Sequence, residues 1–351
     1  MIAAIVKEIE LSNFYPIDGN RIETIYFGGG TPSILGSGEL QIILDAVHNK
    51  FTVAGQAEIT LEANPDDITP QKLLQWKAVG INRLSTGIQS FSEEELAWMN
   101  RAHTAADALN CIDQIKAAGF SDFSIDLIYG SPLLSNENWK RNVWTVIEKE
   151  IPHISCYALT VEPQTALDKM IVQKKKTAVD PEKQAEQFIL LMDWLAQAGY
   201  EHYEISNFAK PGMRSRHNSS YWEGKHYYGF GPSAHSFDGV SRKWNIANNA
   251  LYIQSLQQNS IPFEQETLTT TQHLNEYIMT SLRTKEGTSL DKVTTSSGKR
   301  IAAQLLQKSD KWQSGGKIML KETSLVLTRE GKLFADGIAA DLFFDEAGVP
   351  E

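Results

Sequence analysis

Three consecutive glycines at 28–30 follow the short apolar run 24–27 and lead into Thr31 and Pro32. Ordering glycine costs more backbone entropy than ordering any other residue. A triplet at a strand end therefore marks a backbone that must turn tightly or come close to a bound molecule. In α/β proteins the carboxyl ends of strands are where ligands usually bind. No Gly-Lys-Ser/Thr follows, which removes a phosphate-cradling P-loop, and Ser33 stands where a dinucleotide fingerprint requires glycine. Later strand-like runs add Glu62, Gln89 and Asp126 near their carboxyl ends, with Arg101 just past a helix. Backbone amides at Gly29, Gly30 and Thr31, together with a carboxylate, suit a zwitterionic amino-acid group. Arg101 can hold a carboxylate through two parallel hydrogen bonds. Asp126 or Glu62 can accept from ribose hydroxyls or an ammonium. Each of these residues could instead cap a helix or close an ion pair, but their recurrence at successive strand ends favours one shared site.

The elements that must position these groups are legible in outline. Strand-like runs at 24–27, 58–63, 83–89, 123–129, 153–160 and 202–208 alternate with amphipathic helices. Thr69 with Pro70 supplies a helix start and Gly80 a stop, and Asp180 with Pro181 opens another helix. Ser92 and Glu95 have capping-box spacing. Repeated βα units imply a parallel sheet, either a barrel or a doubly wound sheet. From about residue 261 the texture changes to helices around 273–284 and 299–307, paired short strands at 317–320 and 324–328, and a last helix over 329–344. That outline is winged-helix-like. Domains are therefore expected at 1–260 and 261–351.

Composition narrows the function classes. The chain has 351 residues, 42% hydrophobic and 22% charged, as expected of an ordinary soluble globular protein. Its net charge of −10, from 33 basic and 43 acidic residues, argues against a nucleic-acid partner, including for the C-terminal module. No apolar run is long enough to span a bilayer, and no secretory leader is read. Two cysteines, Cys111 and Cys156, form no ligand motif, so the cytoplasm is the expected compartment. The run 174–176 of three lysines reads as a solvated turn.

At this point a family resemblance is carried by Tyr-Phe-Gly-Gly-Gly-Thr-Pro-Ser (26–33), Leu-Glu-Ala-Asn-Pro (61–65) and Asn-Arg-Leu-Ser-Thr-Gly-Ile-Gln-Ser-Phe (82–91). Asn-Arg-Ala-His (100–103) and Ile-Asp-Leu-Ile-Tyr-Gly-Ser-Pro (125–132) extend it. Together they resemble the radical S-adenosylmethionine family of oxygen-independent coproporphyrinogen III oxidases, over nearly the whole chain. The resemblance implies an α/β fold, an incomplete (β/α)6 barrel, closed by a small C-terminal helical domain. It also implies S-adenosylmethionine contacts from Gly29, Gly30, Thr31, Glu62, Gln89, Arg101 and Asp126. His-Asn-Ser-Ser-Tyr-Trp (217–222) matches the His-Asn-x-x-Tyr-Trp signature of the haem-chaperone branch, HemW, which the oxidases lack. Imidazole ligates iron and paired aromatics can cover a porphyrin. The resemblance therefore implies haem binding through His217, Asn218, Tyr221 and Trp222 and, as partner, a haem-acceptor protein. The same aromatics could simply pack on the barrel end. His202, His226 and His235 compete as iron ligands. The alternative activity is oxidative decarboxylation of coproporphyrinogen III to protoporphyrinogen IX.

One departure matters. The family holds a [4Fe–4S] cluster with a Cys-x3-Cys-x2-Cys loop after its first strand, and this chain has no such loop. Residues 1–9 resemble the helix that follows it, so the first strand and the loop are expected to be missing. Cys111 shares an apolar helix face with Ala108, Ile112 and Ile115, and Cys156 lies in a strand. Neither can replace the triad. The expectation is no cluster and no reductive cleavage of S-adenosylmethionine in this chain, with one barrel edge left open to association.

Overall fold

The computed structural model describes residues 1–12 and 21–345. Its strands are β1 (Arg21–Phe27), β2 (Thr52–Ala63), β3 (Arg83–Gln89), β4 (Phe123–Tyr129), β5 (His153–Ala158), β6 (Glu201–Glu204) and β7 (Asn207–Ala209), all in one sheet. Three more, β8 (His235–Phe237), β9 (Ser241–Asn245) and β10 (Phe263–Thr267), form a second sheet. A third sheet holds β11 (Thr288–Ser289), β12 (Ile318–Lys321) and β13 (Ser324–Leu327). The large sheet runs β1-β2-β3-β4-β5-β7-β6, with β1 at one end of the order. It is a curled half-barrel, as the family resemblance implies, and not the doubly wound sheet that repeated βα units also allowed. The chain divides into two compact units. One comprises Met1–Tyr26, Leu35–Glu58 and Arg216–Glu351, and the other Phe27–Ile34 and Ile59–Ser215.

In the second unit, β2, β3, β4 and β5 are parallel neighbours. Side chains alternate along a strand, so the register sorts the two faces. Leu61 lies opposite Leu84 and Leu84 opposite Phe123, while Ile125 lies opposite Ile154, and all five are buried. The alternate positions are polar. Glu62 stands opposite Ser85, Ser85 opposite Ser124, and Asp126 opposite Ser155. Helices Pro70–Ala78, Ala105–Ala117, Asn136–Glu148 and Pro181–Gln197 intervene, and they bury Trp76, Ile112, Trp139 and Leu191. Each such side chain taken from water contributes about 1.5–3 kcal/mol.

Local signals predict the helix starts where the side chain has no rival partner. Thr69 accepts from the Lys72 amide at 3.2 Å, and Asp180 accepts from the Glu182 amide at 3.0 Å. The expected capping box at Ser92 does not form. Ser92 makes no side-chain cap, and Glu95 instead accepts from the Ser90 hydroxyl at 2.8 Å in a buried network with Asn142. The run 202–208 is not one strand but the antiparallel pair β6 and β7, which turns at Ile205 and Ser206. The lysine run is only partly solvated. Lys176 lies over the Trp98 ring at 4.4 Å and donates to the Trp98 carbonyl.

In the first unit, the helix Ile2–Leu11 carries a buried carboxylate, Glu8. It accepts from the Gly231 amide at 2.8 Å, Asn245 Nδ2 at 2.6 Å and the Tyr252 hydroxyl at 2.5 Å. Burial holds its carboxyl above the usual range. Ala4, Tyr252 and Leu256 pack beside it. The C-terminal region contains the expected helices and hairpin, with Thr270–Leu282 and Lys299–Ser314 longer or shifted relative to the sequence outline. The last helix is shorter than expected. Gly331–Phe334 is a 3-10 turn and Ala335–Leu342 the helix proper.

Candidate functional site: a strand-end rim and an aromatic motif

The rim lies in the second unit. Gly29 and Gly30 have φ of 78° and 69°, the left-handed region that side chains enter only at a cost. A Cβ built on either meets no chain atom within 4 Å. Backbone conformation therefore requires glycine here, and the space around it is not used by the chain. The Gly29 amide donates to Glu62 Oε2 at 3.2 Å, which ties the loop to the end of β2. Downstream, buried Ser33 donates to Asp67 at 2.6 Å, and Lys72 bonds both the Ser33 carbonyl and Asp67 at 3.2 Å. Thr31 is half-buried between these anchors, and its carbonyl accepts from the Ile34 amide at 3.2 Å.

Gln89 ends β3 at φ 66°, unusual for a side chain other than glycine. A register shift between Thr86 and Gln89 brings it opposite Leu127. Such bulges re-aim side chains next to sites. His103, buried, holds the Ile88 carbonyl at 3.0 Å and pins the turn 100–103 against the end of β3. Arg101 lies on that turn with an exposed side chain.

Asp126 is half-buried on the polar face of β4. Burial pushes its carboxyl up to about 6, opposed by a hydrogen bond from Ser155 and reinforced by the Glu62 charge. Arg83 and Arg101 pull it back down. Glu62 and Arg101 are thus each within electrostatic reach of Asp126. The sequence reading missed Ser85, Ser124 and Ser155, whose hydroxyls floor the polar face; Ser124 donates to Ser85 at 3.0 Å.

The aromatic motif lies in the first unit, on the short helix Arg216–Trp222. Its start is held by Glu58, almost fully buried, which accepts from the Arg216 and His217 amides at 2.9 Å each. The His217 ring stacks on Tyr26 with centroids 4.7 Å apart, and Nδ1 meets Thr24 Oγ1 at 2.9 Å. Tyr221 packs edge-on against His217 at 5.1 Å and against Tyr227 at 4.8 Å. The Arg283 guanidinium lies 5.5 Å from the Trp222 ring. Asn218 is half-buried on the same helix. Thr24, Tyr26 and Glu58 had no sequence signal marking them as partners of the motif.

The three rival histidines differ. His202 is stacked on Phe208 at 4.0 Å and bonded to the Ile205 carbonyl. His226 and His235 are exposed. Cys111 and Cys156 are both buried and free, and burial pushes the Cys111 thiol up to about 12 and the Cys156 thiol well above its usual value. Among the described residues no cluster of three or more metal-ligating side chains is present, and no helix is long and apolar enough to cross a membrane.

With this geometry in view, comparison with known proteins decides the family. The profile of the Radical SAM superfamily matches residues 10–142, and that of the HemN C-terminal domain matches residues 268–334. The heme chaperone HemW of Mycobacterium tuberculosis is 33% identical over 97% of this chain and 85% of its own length. The chain belongs to the HemW family of radical S-adenosylmethionine proteins. The HemW of Bacillus subtilis is 31% identical over 90% of this chain and 84% of its own. Coproporphyrinogen III oxidase (HemN) from Escherichia coli, described as a radical SAM enzyme, superposes with a TM-score of 0.81 at 21% identity, covering 97% of this chain and 82% of that one. That likeness extends to the fold.

Proposed function

We propose that this chain is a haem chaperone, binding haem and releasing it to an acceptor protein in the cytoplasm. The observation that carries the reading is the run of ring contacts from His217 through Tyr221 to Tyr227, the last of which lines an open concavity in the same unit. Asn218 and Trp222 share the short helix that carries His217 and Tyr221, and through Tyr221 that helix supports Tyr227 at the concavity. Titrating the purified chain with hemin tests this. Saturable binding with a Soret band, followed by transfer to an apo-haem protein, is expected. Spectra that only sum those of protein and free hemin would defeat it.

S-adenosylmethionine would be held at the strand-end rim. The left-handed amides of Gly29 and Gly30 and the neighbouring Thr31 suit its amino-acid moiety. Arg101 can pair its carboxylate, and Glu62, Gln89 and Asp126 offer acceptors for its hydroxyls and ammonium. The cluster of the wider family does not fit the residues present. Cluster iron needs thiolates, and both thiols of this chain are buried and held protonated. Anaerobic reconstitution with iron and sulfide is expected to leave no stoichiometric cluster signal.

A further inference from the structure

The three-stranded sheet of the first unit carries side chains that the rim and the motif leave unused. On β9, Arg242 and Trp244 alternate onto one face. The antiparallel register sets His235 opposite Trp244 and Phe237 opposite Arg242 on one side. On the other side it sets Glu264 opposite Trp244 and Glu266 opposite Arg242. Opposed residues of antiparallel strands project to the same face, so these six share one surface. The helix Thr270–Leu282 covers one end of it. Glu276 takes the Arg242 guanidinium at 2.6 Å, and the His273 ring lies 6.4 Å from Phe237.

The other end is open. Tyr227, His235, Arg242, Trp244 and Glu266 line a concavity of about 500 Å³. That size falls within the range of small-molecule sites, about 300–1,000 Å³. The exposed His235 ring lies within 29° of parallel to the Trp244 ring, with centroids 6.2 Å apart. The Trp244 indole is oriented by its N–H, which donates to Glu264 at 3.2 Å. Arg242 meets its second carboxylate, exposed Glu266, at only 3.8 Å. An exposed pair at that distance contributes little, so an incoming carboxylate can replace it cheaply.

An accessible imidazole, an indole, a phenol and an exchangeable guanidinium are the groups a flat metalloporphyrin with carboxylate arms requires. His217 contrasts with His235, because stacking on Tyr26, the contact to Thr24 and the Glu58 clamp all act on it. We infer that His235 ligates the haem iron, with Trp244 and Tyr227 against the porphyrin and Arg242 on a propionate. The inference rests on the haem-chaperone reading above and adds its ligand. His217 is then a positioning residue that acts on Tyr227 through Tyr221.

Hemin titration of the full chain and four variants tests this. His235→Ala is expected to weaken binding at least tenfold and to shift the Soret band, and added imidazole should restore the band position. Trp244→Ala should weaken binding with the band position kept. His217→Ala should lower affinity modestly and also keep the band position, while His226→Ala should match the parent protein. If His235→Ala keeps the parent affinity and band, His235 is not the ligand, although haem binding stands. The same holds if His217→Ala loses the band while its circular dichroism stays native. If the parent protein itself binds no hemin, the haem reading falls first and takes this inference with it.

Discussion

The strand-end rim and the aromatic motif are both short runs of suggestive residues, yet the protein treats them in opposite ways. At Gly29 and Gly30 the backbone is bent into a left-handed conformation; the Gly29 amide bonds Glu62, but no chain atom occupies the space where a side chain would stand. At His217 the amide, one ring nitrogen and the ring face each meet a partner within the protein. A left-handed glycine backbone beside unused space leaves room for a bound molecule to come close. A side chain held at one ring nitrogen and against neighbouring rings behaves as framework. The contrast teaches that residue type alone does not separate binding groups from supports, whereas the disposition of their partners does.

The largest effect that could break this comparison is at Glu58. Glu58→Ala strips the acceptor from two amides at the start of the motif helix and should destabilise the protein by about 3 kcal/mol, since unmet buried donors beside a lost charge cost that much. Urea denaturation reads it directly, and a loss under 1 kcal/mol would mean that the motif is not clamped. His217→Ala should cost about 2 kcal/mol through the lost stacking and hydrogen bond. A change confined to hemin affinity, with stability intact, would return His217 to the binding surface.

At the rim the expectation inverts. Gly30→Ala should weaken S-adenosylmethionine binding about tenfold, equivalent to about 1.4 kcal/mol, as read by calorimetry. Equal affinity would show that the left-handed loop is only a turn.

The smallest effect concerns Asp126. Its carboxyl sits at about 6 in the folded chain against an ordinary 3.8, so the native state holds its proton more tightly than the unfolded state. The resulting destabilisation is absent below about pH 4, grows as pH rises towards 6 and is constant above that. Asp126→Asn removes it. The stability difference between variant and parent should therefore climb from pH 4 to pH 7 and level off above that. Denaturation midpoints at both pH values check the sign, and a flat difference would remove the buried-carboxylate account.

How far the sequence could be read depended on the range of the interactions. Thr69 and Asp180 announce their helices because a cap bonds an amide two or three residues away. Ser92 and Glu95 misled for a related reason. Ser90, two residues further from Glu95 than Ser92, takes the carboxylate into a buried network completed by Asn142, 52 residues from Ser90. The turn that splits 202–208 falls at Ile205 and Ser206, with neither glycine nor proline to mark it, and it became visible only once β5 had claimed β7 as its antiparallel neighbour.

Alternation of apolar and polar residues, glycine at the loop and carboxylates at the strand ends were written into the chain order, since each follows from local backbone geometry and the two-residue period of a strand. The pairing of His217 with Thr24, 193 residues away, was decided only by tertiary structure, as were the left-handed turn at Gln89 and the meeting of His235 with Trp244. These depend on register and long-range packing, where a shift of one residue exchanges which groups face one another.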